Sequence, residues 1–435
     1  MSSLLTKAKA VHFIGIGGIG ISAIARMLLF SGVRVSGSDS TLSHIVRDLS
    51  SAGAKIFPSH STDNILPETD LVIYSVAIGA NNPELVEAKR RKLQILSYPE
   101  ALGVLTKDKY TIAVAGTHGK TTTTAMIADV LIAALLSPSV VVGSLLSGGR
   151  SNFVYGRGKY FLVEACEYKR SFLNLSPRVA VVTNIDNDHL DYYGSLSGVI
   201  SGFNEFVRKV PKDGFIVCNP ALASVREALS EVVATVIDFR EFRGEVPKLL
   251  VPGDHNRENA AAALSVVDLL NIPKSVSTEA LSRFSGTWRR FECRGFSKGG
   301  SLVYDDYGHH PTEISATLSG AREVFQTEKI IVVFQPHLYS RTKDHLATFG
   351  KCFRQASEVI LLPIYPAREI DPGDINSEMM AEEIKKNGKP AIVARTFAEA
   401  AAEALGRAGQ GDLILTLGAG EANKVADLLI NVESL

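Results

Sequence analysis

The sequence predicts an α/β protein of three domains built on parallel sheets. Three observations predict it. Apolar strand segments alternate with segments of helical periodicity along the chain. Two glycine-rich turns, "GIGGIG" and "GTHGKT", each sit between a strand and a helix. Polar residues gather just after strand ends, where open α/β sheets bind ligands.

Bulk properties narrow the class. A chain of 435 residues has room for two to four domains. Lys plus Arg and Asp plus Glu both number 46, so the net charge is zero, which argues against nucleic acid or an anionic membrane as partner. Cys166, Cys218, Cys293 and Cys352 are far apart with no C-x-x-C spacing. Neither a disulfide framework nor a zinc site is expected, and a reducing compartment fits. "MSSLLTKAKAVHFIGIGG" lacks a signal-peptide layout, so a cytoplasmic location is expected. Ala125 to Leu146 is the nearest approach to a membrane span, but Asp129 and Pro138 interrupt it. A buried helix, a turn and a strand are expected there, with no membrane insertion.

The first domain is placed at residues 1–104. "AVHFIGIGGIG" is an apolar strand followed by Gly15, Gly17 and Gly20 in G-x-G-x-x-G spacing. "ISAIARMLLFSG" reads as a helix closed by Gly32, and "VRVSGSD" as a second strand ending in Asp39. This is the Rossmann-type fingerprint in its proper context. "AKIF" and "DLVIYS" are further strands, and Asn82 with Pro83 opens a helix. The block has room for little more than one mononucleotide half, so one nucleoside diphosphate fits better than NAD.

The second domain is placed at residues 105–288. In "AGTHGKTTTT" a phosphate loop is compressed by two residues. The leading glycine of G-x-x-x-x-G-K-[ST] would fall at Val114, and Gly116 stands in for it. Backbone N–H groups at the following helix start point at phosphate, Lys120 neutralises its charge, and the Thr121 hydroxyl can hold magnesium. "KYFLVEACE" ends a strand at Glu164, and "RVAVVTNIDNDHLD" leads to His189. Both stand where ligand-bearing groups belong, although magnesium prefers oxygen donors to imidazole. A third domain, residues 289–435, repeats the strand-to-turn pattern in "GSLVYDDYGHHPTEI", "KIIVVFQPHLYSRT", "EVILLPIYP" and "DLILTLGAGEANKVADLL". Asp305, Asp306, His309, His310, His337, Arg341 and Arg368 cluster after these strand ends.

Taken together, "HFIGIGGIGISAIARML", "GTHGKTTTTAMIADVL", "VEACEYKRSFLNLSPRVAVVTNIDNDHLDYYG", "DHNRENAAAAL", "WRRFE", "DDYGHHPTEI", "FQPHLYSRT" and "LTLGAG" resemble the Mur ligase family of cell-wall synthesis. They are similar to its alanine-adding branch. The resemblance implies an N-terminal Rossmann-like UDP-binding domain, a central P-loop ATPase domain with a mostly parallel sheet, and a C-terminal Rossmann-like domain. It also implies the reaction. ATP phosphorylates the lactyl carboxylate of UDP-N-acetylmuramate, and the amine of L-alanine attacks the acyl phosphate. A tetrahedral intermediate then collapses to the amide.

Residue roles follow from the same resemblance. Gly116, Thr117, His118, Gly119, Lys120, Thr121 and Thr122 would bind the ATP phosphates. Thr121 and Glu164 would serve magnesium, with His189 at a second magnesium. Asn256 and Asn259 match positions near adenine, and Arg290 and Asp306 match positions where the third domain reaches back onto ATP. Gly15, Gly17, Gly18, Ser22, Asp39 and Asn82 would hold the UDP part. His337, Arg341 and Tyr307 would lie at the amino-acid site.

The chain departs from the common pattern at Cys166, where many members have Asp, and at Leu338, where many have Arg. Asn204 stands roughly where sister ligases carry a carbamylated lysine, in keeping with the alanine-adding branch. Rival readings are a murein tripeptide ligase, a NAD-dependent oxidoreductase and a non-enzymatic nucleotide-binding regulator. A monomer or a homodimer is expected.

Overall fold

The computed structural model describes residue 5 and residues 7–144, 152–325, 329–367 and 369–430. Arg368 lies outside the described residues. Two compact units form: residues up to Lys248 with Glu258–Arg283, and Leu249–Arg257 with the chain from Phe284.

The first unit carries two sheets. One is wholly parallel, in spatial order Lys55–Phe57, Arg34–Ser38, Ala10–Ile14, Leu71–Tyr74, Gln94–Ser97. The chain enters at the centre, builds outward to one edge, then crosses to the other side. The crevice at that reversal is where such sheets take ligands, and the Gly15–Gly20 turn lies there. "QILS" supplies a fifth strand that the sequence reading missed, because its run is short and follows "KRRK". The block, expected to have room for little more than one mononucleotide half, carries five strands.

The strand Ala10–Ile14 is buried at every position, as a central parallel strand should be. Its one polar side chain, His12, needs partners for that reason. Nδ1 lies 2.9 Å from Ser36 Oγ, and Nε2 lies 3.4 Å from Glu84 Oε1. Glu84, fully buried, accepts from Ser38 Oγ at 2.6 Å and Asn64 Nδ2 at 2.7 Å, with His60 Nδ1 at 2.8 Å. Burial pushes this carboxyl up. Hydrogen bonds from His12, Ser38, Asn64 and His60 outweigh it and hold the group below the ordinary carboxylate range.

The second sheet runs Thr235–Asp238, Phe215–Cys218, Val179–Val182, Tyr110–Ala115, Tyr160–Glu164, Ser139–Val141, Phe153–Val154. Only Phe153–Val154 is antiparallel to its neighbour. The apolar stretch from Ala125 resolves as expected into the end of the helix Lys120–Ala133, a turn and the strand Ser139–Val141. No described helix is long and apolar enough to cross a membrane. Asn204 ties its helix to the next one by donating to Ala228 O and Ser230 O at 2.9 and 2.8 Å.

The second unit carries one sheet, ordered Glu292–Phe296, Leu302–Asp306, Leu413–Leu417, Ile330–Phe334, Glu358–Leu361, Ala391–Val393. It is parallel except for the edge strand Glu292–Phe296, whose mixed composition "ECRGF" hid it from a search for apolar runs. All four cysteines are free.

Glu84→Ala should destabilise the first unit by about 3–5 kcal/mol in urea titrations, the cost of stripping a buried charge from its partners. The wild-type contribution has a defined pH sense. Because the folded pKa is depressed, it is fully present above the unfolded value near 4.5 and lost as the pH falls through the folded value. The stability gap between wild type and Glu84→Ala should therefore shrink on acidification below about pH 4.5.

Candidate active site

The compressed phosphate loop is held by the strand end beside it. Thr117 N donates to Asn184 O at 3.0 Å, His118 N to Asn184 Oδ1 at 2.9 Å, and Thr183 Oγ1 to His118 O at 2.5 Å. Gly116 has φ 140°, and a Cβ there would lie 1.9 Å from Thr183 Oγ1. Only glycine therefore lets the shortened loop lie against that strand. Gly119 caps the helix Lys120–Ala133, which aims its free N–H groups into the loop. Thr122 is half-buried in its first turn.

Five charged or polar side chains collect at this helix start. Thr121 Oγ1 lies 3.0 Å from both Glu164 carboxylate oxygens, and Gly143 N donates to Glu164 at 2.7 Å. Lys120 Nζ donates to Gly116 O at 2.5 Å, Thr117 O at 3.0 Å and Glu167 Oε1 at 2.9 Å. Burial disfavours its charge, but Glu167, Cys166 and Glu164 together hold the ammonium above its ordinary pKa. His189 Nε2 is 3.6 Å from Glu167 Oε1, and its ring packs 4.8 Å from that of Tyr168. His189 has φ 54°, and Lys169 and Arg170 have φ 51° and 57°. Such left-handed backbone in non-glycine residues costs about 1–3 kcal/mol each and collects at functional sites.

The glycine turn of the first sheet is also closely built. Gly15 N donates to Ser38 O at 2.8 Å, and Asp39 Oδ2 accepts from Gly17 N at 2.8 Å. Gly18 caps the helix Ile19–Phe30. Ser22, fully buried, donates to Ile19 O at 2.8 Å, and Asn152 reaches the same carbonyl from the second sheet's side of the unit. The Asn82 side chain caps the helix Pro83–Arg90, accepting from Glu84 N and Leu85 N at 3.0 and 3.2 Å. A Cβ on Gly20 would lie 2.5 Å from the Tyr98 ring. Burial, with Cys166 and Glu164 nearby, pushes the Tyr98 hydroxyl well above the usual tyrosine range.

In the second unit, the two arginines of "WRRFE" take different tasks. Arg289 is buried and satisfied by Asp305 at 2.7 Å, Gly420 O at 2.8 Å and Gly418 O at 2.6 Å. It clamps the "GAG" loop to the strand Leu302–Asp306. Arg290 lies over Tyr307, 5.1 Å from the ring centroid, and Arg289 lies 5.3 Å from the same ring. Asp306 accepts from Phe291 N and Gly308 N, each at 2.8 Å. Burial pushes its carboxyl up to about 6, against the pull of Arg290. His337 packs against His309 and Tyr365, each at 5.7 Å, and Arg341 Nη1 donates to His337 Nδ1 at 3.2 Å. Leu338 precedes the helix Tyr339–Asp344 with φ 70° and is buried; its hydrocarbon side chain brings no charge. Asn259 belongs to the first unit, where Thr123 Oγ1 donates to it at 3.2 Å. Asn256 belongs to the second and donates to Pro252 O at 2.6 Å.

Three family models match in order: "Mur ligase family, catalytic domain" over residues 10–110, "Mur ligase middle domain" over 114–242, and "Mur ligase, glutamate ligase domain" over 289–420. The chain is 42% identical to a UDP-N-acetylmuramate–L-alanine ligase of Clostridium perfringens, covering 97% of this chain and 98% of that one. The chain belongs to the Mur ligase family. Among solved structures it is similar to the UDP-N-acetylmuramate-alanine ligase of Thermotoga maritima, at 30% identity and TM-score 0.79 over 97% of this chain and 99% of that one. A murein peptide ligase of Psychrobacter arcticus shares the fold, at 22% identity and TM-score 0.69 over 98% of this chain and 100% of that one.

As a Mur ligase the chain shows side chains that motif reading passed over. Glu167, Tyr98 and Asn152 all stand at the two glycine turns. Glu167 was legible only as the second acid of "EACE"; Tyr98 and Asn152 carry no motif signal and are brought in by packing.

Gly116→Ala should weaken binding of a non-hydrolysable ATP analogue by about tenfold or more, since overpacking and a strained φ each cost about 1–3 kcal/mol. Titration calorimetry on the folded variant measures it, and unchanged affinity would contradict the loop assignment.

Proposed function

We propose that this Mur ligase joins L-alanine to the lactyl carboxylate of UDP-N-acetylmuramate through an acyl phosphate, using ATP and releasing ADP and phosphate, in peptidoglycan precursor synthesis. One observation carries the proposal: full-length similarity to alanine ligases, coupled with a lysine, a hydroxyl and a carboxylate gathered at one phosphate loop. Three domains with limits near residues 104 and 288, acting in the cytoplasm, complete the reading.

The chemistry requires activation, because oxide is a poor leaving group from a carboxylate. In the first step the lactyl carboxylate attacks the γ-phosphorus of ATP and ADP leaves. Two anions must approach, so cations must screen them. Lys120 supplies one. Thr121 and Glu164 offer a hydroxyl and a carboxylate 3.0 Å apart, the oxygen donors that suit magnesium. Magnesium held there would neutralise phosphate charge, with His189 assigned to a second ion. The loop from Gly116 to Thr122 is assigned to the phosphates, which its backbone amides would cradle. Asn256, Asn259, Arg290 and Asp306 are assigned to the rest of ATP. Gly15, Gly17, Gly18, Ser22, Asp39 and Asn82 are assigned to the UDP part.

In the second step the alanine amine attacks the acyl carbon, and phosphate leaves with its electron pair. Arg341 is the fork-shaped cation for the amino-acid carboxylate. With Nδ1 accepting from Arg341, neutral His337 carries its proton on Nε2. His337 is assigned to orient the amine or to take part in removing its proton, with Tyr307 assigned to the same site.

Phosphate release across a panel of L-alanine, L-serine, glycine and a murein tripeptide tests the proposal; turnover with the tripeptide alone would overturn it. Lys120→Ala should abolish ligation while UDP-N-acetylmuramate binding stays nearly intact, as calorimetry would show. Arg341→Ala should raise the alanine KM about tenfold or more, since a charged hydrogen bond is worth roughly 1.5–3 kcal/mol. An unchanged KM in that folded variant would move the carboxylate site elsewhere.

A further inference from the structure

None of the roles above uses Glu167, although it is the most deeply buried acid at the phosphate loop, 2% exposed. It is held firmly. Tyr193 Oη donates to its backbone carbonyl at 2.6 Å, and two left-handed residues, Lys169 and Arg170, turn the chain away just after it. One carboxylate oxygen does all the visible work. Oε1 takes Lys120 Nζ at 2.9 Å and lies 3.6 Å from His189 Nε2. Oε2 is buried and, among the described residues, meets no hydrogen-bond donor. A buried carboxylate oxygen left so calls for a functional explanation.

Lys120 shows what the carboxylate does through its other oxygen, Oε1. An ammonium has three donors. Here they go to Gly116 O, Thr117 O and Glu167 Oε1, so the side chain is folded back over its own loop. It cannot hold phosphate oxygens while all three are spent. Nucleotide must draw it off, and Glu167 then loses its nearest cation. The next group within reach of the same oxygen is the His189 imidazole.

We propose that Glu167 is a positioning residue with two alternating partners. Without nucleotide its carboxylate parks Lys120. When phosphate takes the lysine, Glu167 turns to His189 Nε2–H and orients that imidazole, leaving Nδ1 as the nitrogen for a metal ion. A carboxylate on the far nitrogen of a ligating histidine fixes ring and tautomer in this way, and losing one typically costs about 10–100-fold in metal affinity. The inference rests on the ligase reading, and it gives the loop an order of events: nucleotide first, histidine orientation second.

Two readouts move in opposite directions under this scheme. Glu167→Gln keeps the shape but removes the charge, so Lys120 is parked less tightly. Affinity for metal-free ADP, read by calorimetry in EDTA, should rise by about tenfold, because hydrogen bonds assisted by charge are roughly twice as strong as neutral ones. Binding of Mn2+ to the ADP complex, read by electron paramagnetic resonance, should weaken by about tenfold or more. A carboxylate that merely repelled phosphate would give the first change without the second. A merely structural residue would weaken both and lower the melting temperature. Glu167→Asp retains the charge but withdraws it by one methylene. It should leave metal-free ADP affinity within about threefold of wild type, and it serves as the test if the Gln variant does not fold. A wild type that binds no nucleotide would overturn the ligase reading and this inference together. A wild type that binds ADP while Glu167→Gln binds it no tighter, or holds Mn2+ equally well, overturns the inference alone.

Discussion

A lysine ammonium buried at a helix start must always have partners, and the phosphate-loop region is arranged around that need. The helix Lys120–Ala133 presents unpaired N–H groups and the positive end of its dipole at the same place. Adding Lys120 concentrates positive charge in a spot shielded from water. Glu164 and Glu167 answer it from the end of the strand Tyr160–Glu164 and the turn just beyond. Under the reading proposed above, a nucleotide polyphosphate would compete for the same charge, and the protein carboxylates and the ligand would be alternative solutions to one electrostatic problem.

Geometry at that spot is held by strands rather than by the loop itself. Thr183 and Asn184, just past the strand Val179–Val182, make four hydrogen bonds to the loop. Shortening the loop by two residues places it against this neighbouring strand end, which is why Gly116 has no room for a side chain. The same logic recurs in the first sheet. Asp39, just past the strand Arg34–Ser38, ties down Gly17. One residue earlier, Ser38 donates to the buried Glu84. The glycine turn thus leans on a strand end whose other neighbour is a fully buried, hydrogen-bonded carboxylate.

Left-handed backbone occurs at or next to several assigned residues, as it does at turns elsewhere in the chain. His189, Lys169 and Arg170 in the first unit, and Arg289 and Leu338 in the second, all have positive φ. At Arg289 the guanidinium makes three hydrogen bonds, to Asp305, Gly418 and Gly420, which together offset the local cost. Its neighbour Arg290 shares the Tyr307 ring with it.

Much of this was legible in the sequence, for a physical reason. Parallel strands buried on both faces must be continuous apolar runs, and glycine turns and a lysine-threonine helix start are local in the chain. "AVHFI", "YTIAVA" and "GTHGKT" therefore announced their elements, and Lys120, Thr121 and Glu164 were found beside one another as expected. Short or polar strands escaped the same reading: "QILS" and "ECRGF" owe their pairing to neighbours, not to their own composition. Only the tertiary structure decided which of two adjacent arginines is a clamp, that Tyr98 closes on Gly20, and that Glu167 stands between Lys120 and His189. Those assignments depend on residues far apart in sequence meeting at a few ångströms, and no local pattern encodes a distance of that kind.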